Sequence, residues 1–177
     1  LDAYSKSEDV LDSNAGLTIS GGVVRILCKT NGNGAFDVDG TFAVTGGTLV
    51  AFYYNTNLAS SPSTTATTQP VAIISGSYAG SAGTTFAVKD SSSNVVFAST
   101  IPSSNYSSSM VCMISSPDME KGSTYYVYKG VTASGGTSFD GLYYGYPTVS
   151  GGSKTTSFTF SSYVYGASSN NQMFNFK

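Results

Sequence analysis

The stretch DSNAGLTISGGVV at residues 12–24 returns without a gap as DVDGTFAVTGGTL at residues 37–49. Asp12 corresponds to Asp37, and each copy carries a Gly-Gly pair at the same place. Each copy is typical of an acidic turn, a short strand, a glycine corner and a second strand. A repeat of 25 residues built from short strands predicts a β-solenoid, because stacked coils bury an apolar face that one coil cannot bury alone.

The rest of the chain predicts antiparallel strands. The segment at 84–99 has the pattern of a hairpin, and further strands are predicted at 109–116, 123–130 and 156–166. We therefore predict an all-β protein in three parts that pack as a single compact unit. These parts are β-helix coils at 1–58, a polar loop at 59–70, and an antiparallel meander or sandwich at 71–177.

Composition excludes several classes of function. Only 10% of the residues are charged and the net charge is −2, so no basic surface is predicted for nucleic acid and no cationic face for a membrane. No apolar run is long enough for a membrane-spanning helix. The chain has no histidine, which excludes histidine-based acid–base and Ser-His-Asp catalysis. We predict a protein that is not an enzyme, with a polysaccharide lyase using Arg25 as the weaker alternative.

The acidic turns have two interpretations. If the coils stack in register, Asp12 lies about 5 Å from Asp37, and like charges at that distance repel by about 3 kcal/mol at an effective dielectric constant of 20. Calcium would reverse the sign, because it binds six to eight oxygens of carboxylates, amides and backbone carbonyls. The predicted calcium ligands are Asp9, Asp12, Asn14, Asp37 and Asp39. The alternative is that Asp and Asn occur here only because they favour turns.

Four segments resemble one protein family: DVLDSNAGLTISGG, NGNGAFDVDGTFAVTGGTLVA, AGTTFAVKDSSSNVVF and ISSPDMEKGSTYYVY. They are similar, in order and over residues 9–130, to bacterial exported proteins described as carbohydrate-binding domain proteins. The resemblance implies a right-handed parallel β-helix like that of pectate lyases, bound calcium, and an extracellular or cell-surface location. It also implies affinity for plant-wall polysaccharides such as cellulose and acidic sugars, without established catalysis. Relatives usually have more coils before this point, and residues 131–177 match nothing in the family.

Tyrosine supplies the predicted sugar contacts, because aromatic faces pack against sugar rings and the chain has no tryptophan. We predict contacts at Tyr53, Tyr54, Tyr126 and Tyr144. The alternative is that tyrosine is frequent simply because it favours strands. The predicted function is that of a secreted, calcium-stabilised protein that binds polysaccharide at the cell surface.

Self-assembly into an extracellular filament is the alternative function. Open β-edges recruit strands from other chains, and the tail SSYVYGASSNNQMFNFK at 161–177 has the pattern of a strand that a neighbour accepts.

Two further features bear on whether the protein is exported. Cys28 and Cys112 are interpreted either as two separate buried thiols or as a disulfide formed in an oxidising compartment. Asn105 begins a glycosylation sequon, and the Ser/Thr-rich residues 60–68 are candidates for O-linked sugar.

Overall fold

The structure is a computed structural model, and it describes residues 1–30, 33–54, 59–102 and 109–166. The strands are, in chain order, β1 (Asp2–Ser5), β2 (Leu11–Ser13), β3 (Leu17–Cys28), β4 (Phe36–Val38), β5 (Phe42–Tyr54), β6 (Val71–Ser75), β7 (Thr85–Lys89), β8 (Val95–Thr100), β9 (Met110–Ser115), β10 (Thr124–Ser134), β11 (Thr137–Phe139), β12 (Leu142–Tyr144), β13 (Thr148–Thr159) and β14 (Val164–Tyr165). One short helix, α1 (Gly76–Ala79), follows β6. The predicted all-β class is confirmed, and no helix in these ranges is long and apolar enough to span a membrane.

The strands form two large sheets and one short ladder. Sheet A has the order β1-β3-β5-β9-β6-β14 and is mixed, because its first three strands are parallel and β9 runs against its neighbours. Sheet B has the order β11-β12-β8-β7-β10-β13 and is antiparallel. The short ladder pairs β2 with β4 in parallel. The strands on both sides of residues 59–70 therefore share sheet A.

The two copies of the repeat pair with each other in parallel and in register. Leu17 lies opposite Phe42 in the β3–β5 ladder, and Asp12 lies opposite Asp37 in the β2–β4 ladder. The offset is the 25 residues of the sequence repeat on both sides of the glycine corner, and the register shifts only at Ser20, which lies opposite Gly46. β1 pairs in parallel with the other side of β3 and adds a shorter third layer.

The glycine corners of the two copies have different surroundings. A Cβ added at Gly46 would lie 2.5 Å from the carbonyl oxygen of Ser20, and one at Gly47 would lie 2.8 Å from the carbonyl carbon of Gly21. A Cβ at Gly21 or Gly22 would meet nothing within 4 Å. Gly22 and Gly47 both have positive φ, 77° and 93°, which L side chains rarely adopt. The second corner therefore needs glycine both for its backbone angle and for space beneath the first corner.

Residues 59–70 contain no helix or strand, and this segment packs on the second copy of the repeat. The backbone N–H of Ser60 donates to the carbonyl of Phe36 at 2.8 Å, so the segment continues along the second copy of the repeat. Buried Gln69 donates through Nε2 to the carbonyl of Gly47 and to Oγ of Ser115, both at 2.7 Å. The polar side chain of Gln69 thus completes hydrogen bonds of the sheet beneath this loop.

Sheet A is buried on both faces, and strand alternation sorts its residues between two cores. The coil core lies on the side of the β2–β4 ladder and includes Val24, Ile26 and Cys28 of β3, because alternate residues of a strand share a face. The sandwich core lies between the two sheets and includes Phe52 of β5 with Phe86 of β7. The rings of Phe52 and Phe86 meet edge to face at 6.3 Å. Sheet B therefore packs directly on the strands of the repeat in sheet A.

The predicted hairpin at 84–99 is confirmed as β7 and β8, which pair antiparallel. The strands predicted at 109–116 and 123–130 correspond to β9 and to the first part of β10. The β11–β12 hairpin and most of β13 were not predicted, because 135–153 is rich in glycine and serine and lacks a continuous apolar alternation.

Candidate functional site

Two acidic residues of the repeat lie side by side on the exposed side of the β2–β4 ladder. Asp12 and Asp37 are register partners, and both side chains are exposed. Asp9 accepts a hydrogen bond from the backbone N–H of Gly34 through Oδ1, which uses part of its capacity to bind a cation. Asp39 and Asn14 are both exposed, and the backbone N–H of Asp39 donates to the carbonyl of Ser13 at 3.0 Å.

The pKa of Asp37 records the proximity of its acidic neighbours. Burial raises this pKa above its ordinary value of 3.8, and the charges of Asp9, Asp12 and Asp39 raise it further. Among the described residues, however, no three acidic or cysteine side chains come close enough together to hold a metal ion. The shifted pKa of Asp37 shows that its acidic neighbours are near enough to repel it. Calcium binding between the coils stays a prediction.

Replacing Asp37 with Asn is expected to stabilise the protein at pH 7. A carboxyl whose pKa is higher in the folded than in the unfolded state favours folding at low pH, and that advantage is lost as the pH rises through the folded pKa. The gain at pH 7 should stay below about 1 kcal/mol because the side chain is exposed, and it should disappear at a pH well below 3.8.

The free energy of unfolding, measured in urea at pH 7 and at a pH well below 3.8, checks this expectation. Each measurement is made once in chelator and once in calcium. Asp118→Asn is the matched control, because Asp118 is exposed in a turn outside the repeat. An Asp37→Asn gain of equal size at both pH values would contradict the repulsion argument. Wild-type protein that is equally stable in chelator and in calcium would show that the calcium prediction is wrong.

The two cysteines are free and buried, so the disulfide alternative is wrong. Cys28 belongs to the coil core and Cys112 to the sandwich core, on opposite faces of sheet A. Burial raises the pKa of both thiols, which keeps them neutral. The glycosylation prediction at Asn105 lies outside the described residues.

The four tyrosines predicted to contact sugar lie in three different environments. Tyr53 is only 1% exposed, because strand alternation places it in the coil core with Leu49 and Ala51, and this prediction is wrong. Tyr54 and Tyr144 are half-buried and pack against the sandwich core. Tyr126 is half-buried on β10, with Nζ of Lys154 5.0 Å from its ring centroid.

One rung of side chains crosses sheet B through two tyrosines that the sequence analysis did not select. Tyr143 of β12 lies opposite Ala98, which lies opposite Ala87, which lies opposite Tyr128 of β10. The rung ends at Lys154 of β13. The strands of the two tyrosines are three spacings apart, or about 14 Å. We call the outer surface of sheet B around Ala87, Ala98, Tyr128 and Tyr143 the tyrosine face.

The alanines of the tyrosine face leave room for the tyrosines to pack over the sheet. Ala87 and Ala98 are completely buried although they point away from the sandwich core, and Tyr128 and Tyr143 pack against them. Nζ of Lys89 lies 4.7 Å from the ring centroid of Tyr128. The result is a surface with apolar rings and ammonium donors, and none of the residues in this rung is acidic.

The sequence contained a signal for part of this surface. Tyr126 and Tyr128 alternate with buried residues in the segment STYYVYKG, so one face of β10 has two tyrosines. Tyr143 gave no such signal, because its strand has only three residues and its position opposite Ala98 depends on the pairing of β12 with β8.

Arg25 lies in a separate groove of about 810 Å³ that also contains Asp2, Tyr4 and Asp140. Its Nη1 donates to Oδ2 of Asp140 at 2.6 Å and to Oδ1 of Asp2 at 3.3 Å. Burial and the contact with Asp140 raise the pKa of Asp2, while Arg25 lowers it. Through these two contacts Arg25 connects β1 to the turn between β11 and β12.

The predicted donated strand begins by pairing within its own chain. Val164 and Tyr165 form β14, which runs parallel to β6 at one edge of sheet A. The rest of the predicted segment, residues 167–177, lies outside the described residues. At the edge of sheet B, β13 pairs only with β10 among the described strands. Assembly through such an edge stays a prediction.

The chain was compared with known proteins by sequence and by structure. No family model matches it, and it is significantly similar to no curated protein and to no solved structure. The resemblance to carbohydrate-binding domain proteins therefore stays a prediction, and the function is argued from the site itself.

Proposed function

We propose that this protein binds polysaccharide through the tyrosine face, as a secreted module without catalytic activity. The observation that carries the proposal is the rung Tyr143–Ala98–Ala87–Tyr128, in which two tyrosines pack over buried alanines. A pyranose has an apolar C–H face and a rim of hydroxyls, so it fits a surface that combines aromatic rings with hydrogen-bond donors.

The position of the tyrosine face supports a polymer as the ligand. The face is the outer side of a six-stranded sheet, and the strands that carry its tyrosines are about 14 Å apart, a distance that a chain of several sugars spans. The ammonium groups of Lys89 and Lys154 lie over the rings of Tyr128 and Tyr126, at 4.7 and 5.0 Å from the ring centroids, and add hydrogen-bond donors to this surface.

The repeat has a supporting role in this proposal. We propose that residues 1–58 are coils of a right-handed parallel β-helix and that calcium between their acidic turns stabilises them. The in-register pairing of β3 with β5 and of Asp12 with Asp37 supports this view. The low charge and the many Ser, Thr and Tyr residues support an extracellular or cell-surface location.

Affinity electrophoresis in gels with soluble polysaccharides tests the proposal. A suitable panel is mixed-linkage β-glucan, xyloglucan, galactomannan and polygalacturonate. We expect at least one of them to retard the wild type, and the double variant Tyr128→Ala, Tyr143→Ala to bind it about 100-fold more weakly, since two aromatic contacts are lost. Tyr146→Ala is the control, because Tyr146 is 77% exposed and lies outside the face. Retardation of the folded double variant equal to that of the wild type would exclude the tyrosine face.

A further inference from the structure

A second concave site opens at the side of the sandwich, between β6 and β14 of sheet A and β13 of sheet B. It has a volume of about 400 Å³. Its lining combines apolar residues, among them Ile73, Ile74 and Phe158, with the polar residues Ser75, Thr156 and Ser157. Two tyrosines stand at the rim, Tyr78 at 42% and Tyr165 at 38% exposure. We call this site the side cleft.

Contacts within the protein position the ring of Tyr165 and the backbone of Tyr78. The ring of Tyr165 packs against that of Phe158 with centroids 5.4 Å apart and an interplanar angle of 33°. The backbone carbonyl of Tyr78 accepts a hydrogen bond from Oγ1 of Thr155 at 2.7 Å, which connects α1 to β13. A cleft whose walls are already ordered binds a ligand without a large cost in conformational entropy.

The chemistry of the side cleft differs from that of the tyrosine face. None of its lining residues is charged, whereas the tyrosine face has two lysines. Rim aromatics, an apolar floor and hydroxyls match a neutral sugar, whose ring faces are apolar and whose edges both donate and accept hydrogen bonds. A charged ligand would have no partner of opposite charge in the cleft.

The side cleft adjoins the tyrosine face across one strand. Ser157 of β13 lines the cleft, and its register partner on β10 is Tyr126, whose ring is near Lys154. A polysaccharide chain that lies on the tyrosine face and passes over the edge strand β13 therefore reaches the cleft. Two contacts with one chain raise the affinity far above that of either contact alone.

We infer that the side cleft is a second carbohydrate site, which takes a neutral sugar residue of the chain that the tyrosine face binds. This inference rests on the proposed function and adds to it the position and the chemical class of a subsite.

Rim variants test the inference in the same gels, with the polysaccharide that retards the wild type most. Tyr78→Ser and Tyr165→Ser should each weaken binding about ten-fold, since each removes one aromatic contact. Tyr165→Phe keeps the ring against Phe158 and should bind within about two-fold of the wild type. Tyr146→Ser is the matched surface control, and thermal melting of each variant shows that it is folded.

The possible outcomes separate the two proposals. Folded rim variants that bind as the wild type does, beside a double variant of the tyrosine face that does not bind, would overturn the side cleft alone. Weakened rim variants beside a tyrosine-face variant that binds normally would support the cleft and overturn the tyrosine face. If no polysaccharide of the panel retards the wild type, the proposed function fails, and the inference that rests on it fails with it.

Discussion

Replacing Gly47 with alanine is expected to destabilise the protein by about 2 to 5 kcal/mol, whereas the same change at Gly22 should cost about 1 to 2 kcal/mol. Both residues have positive φ, so alanine is strained at either position. Only at Gly47 does the new methyl group meet backbone, at 2.8 Å from the carbonyl oxygen of Gly22 and the carbonyl carbon of Gly21. The backbone of the stacked corner cannot move away without breaking the β3–β5 ladder.

Urea unfolding of the two single variants measures this difference. The comparison is controlled within the protein, because the two glycines hold equivalent positions in the two copies of one repeat. A further pair, Gly21→Ala and Gly46→Ala, removes the contribution of positive φ, since neither glycine has positive φ. Of these two, only a Cβ at Gly46 meets the neighbouring corner. Equal losses at Gly22 and Gly47 would mean that the copies do not stack in this register.

Replacing Phe86 with alanine is expected to lower the free energy of unfolding by about 3 to 5 kcal/mol. Phe86 is completely buried where the two sheets meet. Its ring contacts Phe52 of sheet A at 6.3 Å and Phe97 of sheet B at 6.0 Å, both edge to face. A cavity at this position removes apolar contacts from both sheets at once, and the loss is a large part of the total stability of an ordinary domain.

Phe86→Leu and Tyr146→Ala are the control variants for that measurement. Leucine keeps most of the apolar volume and should cost less than about 1.5 kcal/mol. Tyr146→Ala changes a side chain that is 77% exposed and should stay within about 0.5 kcal/mol of the wild type. If Phe86→Ala also changed the free energy of unfolding by no more than about 0.5 kcal/mol, this would contradict the packing of sheet B on sheet A at Phe86.

The repeat made the first part of the fold predictable from the sequence. Asp12 and Asp37, and Leu17 and Phe42, are opposite each other in the structure because a repeat of fixed length allows one register only. Alternation along β3 also placed Val24, Ile26 and Cys28 on one face. The same rule would have placed Tyr53 on one face of β5 with Leu49 and Ala51, and all three are buried in the coil core.

The candidate site was less predictable, because it depends on which strands become neighbours. Tyr143 and Ala98 meet through the pairing of β12 with β8, and the two segments have no shared local pattern. Gln69 lies in the predicted polar loop, yet its side chain is buried. There its Nε2 donates hydrogen bonds to the carbonyl of Gly47 and to the hydroxyl of Ser115. Such partners are set by tertiary packing, which a single sequence does not reveal.

An NMR titration with a soluble oligosaccharide cut from the retarding polysaccharide tests the central claim most directly. We predict that the ring signals of Tyr128 and Tyr143 move, together with amide signals of β7, β8, β10 and β12. Amide signals of β13 should also move where the oligosaccharide is long enough to reach the side cleft. The signals of the acidic turns around Asp12 and Asp37 should stay where they are. Shifts confined to the acidic turns, with the signals of sheet B unchanged, would contradict the assignment of polysaccharide binding to the tyrosine face.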